Sequence, residues 1–221
     1  MDSVATMAHA QNTRLQLLDA GILCFAERGY EATTIREIAN RAGKLVSLIA
    51  YHFGSKERLY QSCFEHMVTL YPRTPVDPRY ADLEAIRQDP RHAALALRSV
   101  IRGIVQDLHA RAGDPLMEAS IRMFTAEMNA PRPFLHPFFH DQMCESAAQV
   151  RACVASLRPG LQDAEVEFLG QCIFGQCLIQ RLAAGVHALV WQPMPPGESP
   201  GALADRIADF VLKGLGCQQQ T

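Results

Sequence analysis

Five basic side chains, Arg36, Arg41, Lys44, Lys56 and Arg58, lie between residues 33 and 58, against Glu37 and Glu57 as the acidic ones. Such a local surplus suits phosphate, which is held by positive charge or N–H donors. Over residues 1–71 seven basic side chains balance seven acidic ones, and the chain as a whole has a formal net charge of -2. The positive charge is therefore a confined patch, and the composition excludes an indiscriminate polyanion binder. His136 and His140, with Asp141 next to the second, have the i, i+4 spacing of a metal pair but lack a clear third ligand, so no metal is expected. Seven cysteines occur, Cys24, Cys63, Cys144, Cys153, Cys172, Cys177 and Cys217, and no pair has CxxC spacing. Neither a zinc site nor a disulfide framework follows from that pattern. A thiol-based sensor using Cys172 with Cys177, or Cys144 with Cys153, is the rival reading, and apolar surroundings disfavour the thiolate it needs. No GxSxG, phosphate-cradling glycine loop or HExxH occurs, so no enzyme and no cofactor are expected.

The 221 residues are 48% apolar, enough for a real core. The N-terminus lacks an apolar signal segment, and the apolar stretch Phe168 to Gln180 is too short to span a bilayer, so a soluble cytoplasmic protein with no membrane partner is expected. Every strong pattern is helical. Leu15, Leu18, Ile22 and Phe25 recur at helical spacing and predict a helix from about Asn12 to Arg28, stopped by Gly29. Thr34 with Glu37 forms a capping-box pattern at the start of a short helix that ends near Ala42-Gly43. A second short helix is expected from about Leu45 to His52, and Ser55 caps a longer one carrying Leu59, Cys63, Phe64 and Met67. Pro72, Pro75 and Pro78 mark a boundary. Further helices are expected near residues 91–108, 116–129, 134–157, 164–189 and 202–215, with proline-rich connectors PRPFLHP and WQPMPPGESPG. The class is all-α, about nine helices in two unequal parts.

Two short helices joined at Ala42-Gly43-Lys44 match a helix-turn-helix. Ile49 and Phe53 fall four apart and close a small core with Leu18, Ile22, Phe25, Ile35, Ile38 and Ala39, while Leu45, Val46, Ser47, Ala50 and Tyr51 fall largely on the other side. Lys56 sits beside a helix N-terminus, where phosphate is favoured, and Arg36 can reach guanine or phosphate. The plainer alternative is an apolar hairpin inside an ordinary bundle.

TTIREIANRAG and the later YHFGSKERLY closely resemble the DNA-binding domain of TetR-family transcriptional regulators, over roughly Thr13 to Met67. The resemblance implies a homodimeric bacterial repressor with a helix-turn-helix domain at 11–71 (motif 34–53) and a larger helical ligand-binding and dimerisation domain at 72–221. It also implies that Thr34 caps the second helix and meets phosphate, that Arg36 faces the groove, and that Leu45, Val46 and Ser47 enter it. Tyr51 and His52 would meet the DNA backbone and Lys56 a phosphate. Two positions depart from the family pattern: Lys44 stands where a valine is usual, and Ala50 where a tyrosine often contacts phosphate. Lys44 either snorkels across the core to bring its charge near DNA, or is a solvated turn lysine. The recognition helix and the AEMNAPRP segment are similar to the CecR-like subgroup, associated with antibiotic tolerance and with efflux or transport genes.

In the C-terminal part, Phe168, Leu169, Cys172, Ile173, Phe174, Cys177, Leu178 and Ile179 cover more than one helix face, and Gly170 and Gly175 allow close approach. Leu203, Ile207, Phe210 and Val211 form a cleaner stripe on the last helix. The family forms its dimer through its final two long helices, so Phe168, Ile173, Cys177, Leu203, Ile207, Phe210 and Val211 are the expected interface. A small-molecule effector is expected in an apolar cavity lined by Phe124, Met128, Phe134, Phe138 and Phe139, with Arg122, Glu127 and His140 orienting a polar group. The implied partners are a double-stranded DNA operator, a second copy of the chain and that effector.

Overall fold

The computed structural model describes residues 2–74, 77–109, 111–191 and 199–217, with side chains from residue 10 onward. Pro75 and most of the expected connector at 191–201 lie outside the described residues. The chain runs through α1 (Asp2–Ala32), α2 (Ile35–Arg41), α3 (Val46–Phe53), α4 (Lys56–Leu70), α5 (Leu83–Gln88) and α6 (Pro90–His109). It continues through α7 (Pro115–Glu127), α8 (His136–Leu157), α9 (Asp163–Leu182), α10 (Ala184–Val190) and α11 (Pro200–Gly214). Single 3-10 turns at Pro78–Tyr80 and Pro133–Leu135 precede α5 and α8. No strand occurs among the described residues, and no single described helix is long and apolar enough to cross a membrane.

Two expected helices differ in extent. Gly29, at φ 78° and ψ 168°, breaks the helix as expected, and a last short turn beyond it carries α1 to Ala32. The Thr33 hydroxyl ends it by donating to the Gly29 carbonyl at 2.7 Å and the Cys24 carbonyl at 3.2 Å. The single helix expected over 164–189 is two, α9 and α10, bent by 78° at Ala183. Among the described residues the count rises from about nine to eleven because α5 and α10 are too short to leave a periodic signal.

Two compact units form, and neither is continuous in sequence. The first comprises residues 1–71 and 111–139, the second residues 72–110 and 140–221, so the expected cut at 71/72 is joined by others at 110/111 and 139/140. In the first unit Leu17, Leu18, Ile22 and Phe25 of α1 meet Ile38 and Ala39 of α2, Ile49 and Phe53 of α3, Leu59, Tyr60, Cys63 and Phe64 of α4, and Met123 of α7. Leu17 rather than Leu15 joins the buried stripe, and Leu15 is exposed. Each such side chain, fully buried, contributes about 1.5–3 kcal/mol. Gly21 lets α4 approach α1, since a Cβ there would sit 3.0 Å from the Cys63 sulfur. In the second unit Leu97, Val100, Ile101 and Val105 of α6 pack with Val150, Cys153 and Val154 of α8, Ile173 and Cys177 of α9, and Ile207 and Val211 of α11. Ion pairs Arg98–Asp209 and Arg102–Asp205 tie α6 to α11.

One buried charge organises the first unit. Glu127, 0% exposed at the end of α7, accepts from the Tyr60 hydroxyl at 2.9 Å and from the Arg132 backbone at 3.0 Å, and is ion-paired with the Arg132 guanidinium. Removing one partner of a buried pair leaves the other charge uncompensated. Glu127→Ala is therefore expected to destabilise the protein by about 3–5 kcal/mol in urea unfolding, and an unchanged midpoint would refute this role.

Candidate nucleic-acid interface

The turn at 42–44 is set by backbone chemistry. The Thr34 hydroxyl accepts from the Glu37 amide at 3.2 Å while the Glu37 carboxylate accepts from the Thr34 amide at 2.8 Å, so α2 starts on a complete capping box. At its other end the Gly43 amide reaches the Asn40 carbonyl at 3.1 Å and the Lys44 amide reaches the Ala39 carbonyl at 2.9 Å. That pair of bonds, with Gly43 at φ 63°, is a Schellman motif. Lys44 occupies the position after the glycine, where the motif favours apolar packing, and its side chain is half-buried there.

Helix α3 follows with Leu45 as N-cap and no side-chain cap. Ile49 (1% exposed) and Phe53 face the core, while Leu45 (72%) and Tyr51 (78%) face out, together with Val46, Ser47 and Ala50. Gly54, at φ 76°, ends α3, and the Ser55 hydroxyl caps α4 by accepting from the Arg58 amide at 3.1 Å. One surface thus gathers Leu45, Val46, Ser47 and Tyr51, an aliphatic and hydroxyl set at the exposed start and side of a short helix.

The expected cations differ in availability. Arg36 is exposed on α2. Arg41 is paired with Glu27 at 2.7 Å, so its charge is spent on α1. The Lys56 ammonium donates to the Glu31 carbonyl at 3.2 Å and lies 4.5 Å from the centre of the Tyr30 ring. His52, half-buried, is held below the ordinary imidazole range, first by burial and then by the charge of Arg14, so at neutral pH it is a neutral group rather than a cation.

The expected effector residues are placed as follows. Phe124, Phe134, Phe138 and Phe139 pack around the first unit's core, with Phe64 to Phe138 at 5.3 Å and Phe124 to Phe139 at 5.2 Å between ring centres. Glu127 is committed to Tyr60 and Arg132. Arg122, Met128 and His140 are exposed, and His140 lies 3.3 Å from Asp141. Sequence reasoning missed Tyr30 and Arg132, and only Arg132 had a signal, the PRP turn after α7. In the second unit a groove of about 330 Å³ runs between α8 and α9, lined by Met143, Ala147, Val150, Gly170, Phe174 and Leu178, with Arg151 and Glu167 at its edge. Gln149 is buried in that unit, and its side-chain oxygen has no partner among the described residues.

Of the expected dimer residues, Phe168 and Phe210 stand about two-thirds exposed and Leu203 is half-buried. Ile173, Cys177, Ile207 and Val211 are buried in the core of their own unit. They pack inward because they alternate with the outward positions at helical spacing, which leaves Phe168, Ile179 and Phe210 as the outward apolar set. Of the two thiol pairs, Cys153 and Cys177 are buried, with thiols pushed up to about 12 by desolvation, whereas Cys144 and Cys172 are exposed.

Residues 17–63 match the family model of bacterial regulatory proteins, tetR family. The chain is 43% identical to the HTH-type transcriptional repressor AcnR of Corynebacterium efficiens over 58 residues, 26% of this chain and 31% of that protein. It is 33% identical to the HTH-type transcriptional dual regulator CecR of Shigella flexneri over 101 residues, 46% of this chain and 44% of that protein. The chain thus spans less than half the length of these curated relatives. The solved structure of the transcriptional regulator FadR from Bacillus subtilis, in complex with stearoyl-CoA, shares the fold at a TM-score of 0.58 and 20% identity, covering 90% of this chain and 98% of that one. These relatives are named as regulators of transcription rather than as enzymes. Over residues 17–63 the chain is thus similar to the tetR family of bacterial regulatory proteins.

Proposed function

We propose that the protein is a homodimeric, sequence-specific DNA-binding repressor that releases its operator when a small-molecule effector binds. The observation that carries the DNA reading is the inside-out split of α3: Ile49 and Phe53 close the core while Leu45, Val46 and Tyr51 are presented outward. Aliphatic side chains there pack on thymine methyls in the major groove, framed by phosphate contacts from Thr34, Tyr51 and Lys56, with Arg36 facing the groove. Two such helices in one dimer fit successive major grooves roughly 34–36 Å apart, so the operator is near-palindromic.

The outward apolar set Phe168, Ile179 and Phe210 supports dimerisation through the second unit, because exposed large side chains gathered on α9 and α11 are stabilised by a partner of like surface. Gln149 supports an effector with a polar group in the same unit, since a buried acceptor without a partner costs stability until something donates to it. Coupling between effector and operator would be on the order of 1–3 kcal/mol. Burial of Cys153 and Cys177 works against the thiol-sensor alternative.

Selection of bound fragments from the host genome would supply the operator. On that operator Lys56→Gln is expected to weaken binding to all sequences and to lower the salt slope by about one, while Leu45→Ala changes the ranking among bases at a thymine step. Identical behaviour of the two variants would overturn the division of roles. Phe168→Glu with Phe210→Glu is expected to halve the mass seen by light scattering and to weaken operator binding on the order of 100-fold through loss of the linked half-site. A variant that stays dimeric would move the interface elsewhere.

A further inference from the structure

Lys56 opens α4, where its charge meets the positive end of the helix dipole and its four-carbon stem is free to sweep. The structure counters both effects. The ammonium donates to the Glu31 carbonyl at 3.2 Å and rests 4.5 Å from the Tyr30 ring centre, leaving donors on the same nitrogen for a phosphate oxygen. The Tyr30 ring is itself located from several sides. It packs against Tyr60 at 4.8 Å and Phe134 at 5.9 Å, and the Arg132 guanidinium stands 4.5 Å from its centre. Two cations on one ring would repel, but the charge of Arg132 is answered by buried Glu127 and by the Glu31 carboxylate at 3.5 Å. Glu31 thus offers its carbonyl to Lys56 and its carboxylate to Arg132.

We propose that Tyr30 is a positioning residue for DNA binding: its ring, fixed by Arg132 from the turn after α7, holds the Lys56 ammonium where a phosphate meets it. This rests on the reading of Lys56 as a phosphate contact. A shift of the turn carrying Arg132 would reach the DNA contact through one ring and one residue.

The test is a double-mutant cycle on a random-sequence duplex, titrated by fluorescence anisotropy over a range of salt concentrations. Tyr30→Leu is expected to weaken binding about two- to fivefold, the worth of an exposed cation–π contact, and to flatten the salt slope towards that of Lys56→Gln. Tyr30→Phe, which keeps the ring face, retains parental affinity and slope. In the Lys56→Gln background Tyr30→Leu costs nothing further. The double variant Glu127→Gln with Arg132→Gln leaves no lone buried charge and is expected to weaken binding in the same sense; parental affinity there would remove Arg132 from the proposal. A Tyr30→Leu loss of equal size in both backgrounds would overturn the positioning role alone. A Lys56→Gln variant with parental affinity and slope would remove the phosphate contact, and the positioning role with it.

Discussion

The first unit depends on how one carboxylate is partnered out of water. Taking Glu127 from solvent costs several kcal/mol, which only close partners offset. Arg132 supplies the opposite charge and Tyr60 a hydroxyl donor, and burial together with the adjacent carboxylate holds that phenol well above its ordinary range, so it stays a donor. The consequence is topological. Satisfying Glu127 requires the end of α7 and the turn behind it to lie on α4 and the end of α1, which makes a segment distant in sequence part of the first unit. The aromatic cluster of Phe25, Tyr30, Tyr60, Phe64 and Phe134 then packs around the pair.

What the sequence made legible is the part built from short-range rules. Thr34 with Glu37, Gly43 after α2, the four-residue step from Ile49 to Phe53, and Ser55 before α4 each act within one turn, and each does its expected work. What was not legible is set by distance or by competition. Tyr60 and Glu127 are 67 residues apart, and no local pattern announces their bond. Glu127, Phe134 and Phe139 look like cavity residues because apolar and charged side chains mix around the PRP turn. In the structure the Glu127 charge is paired with Arg132, and the Phe139 and Phe134 rings pack against Phe64 and Tyr30. On α9 the composition is apolar on nearly every side, so periodicity alone could not separate Ile173 and Cys177, which face the core, from Phe168 and Ile179, which face out.

Lys44 shows how a departure from a family pattern can be absorbed. Its amide completes the Schellman motif whatever side chain follows, so the turn needs the glycine before it more than a valine at this position. Its side chain is half-buried there.

The start of α3 argues for a partner on physical grounds alone. Leucine is among the poorest N-cap residues, about 1 kcal/mol worse than serine or aspartate, and Leu45 caps nothing. Its side chain is 72% exposed, so it gains little from burial either. A position that forgoes both capping and burial is unfavourable in the isolated protein, and the loss is recovered only where Leu45 contacts something else. A second apolar protein surface would suit Leu45 and Val46 but not the flanking Arg36, Tyr51 and Lys56, which would lose water without gaining acceptors. A duplex offers methyl groups on its base edges and phosphates on both sides of the groove, so it meets the aliphatic centre and the polar rim at the same time.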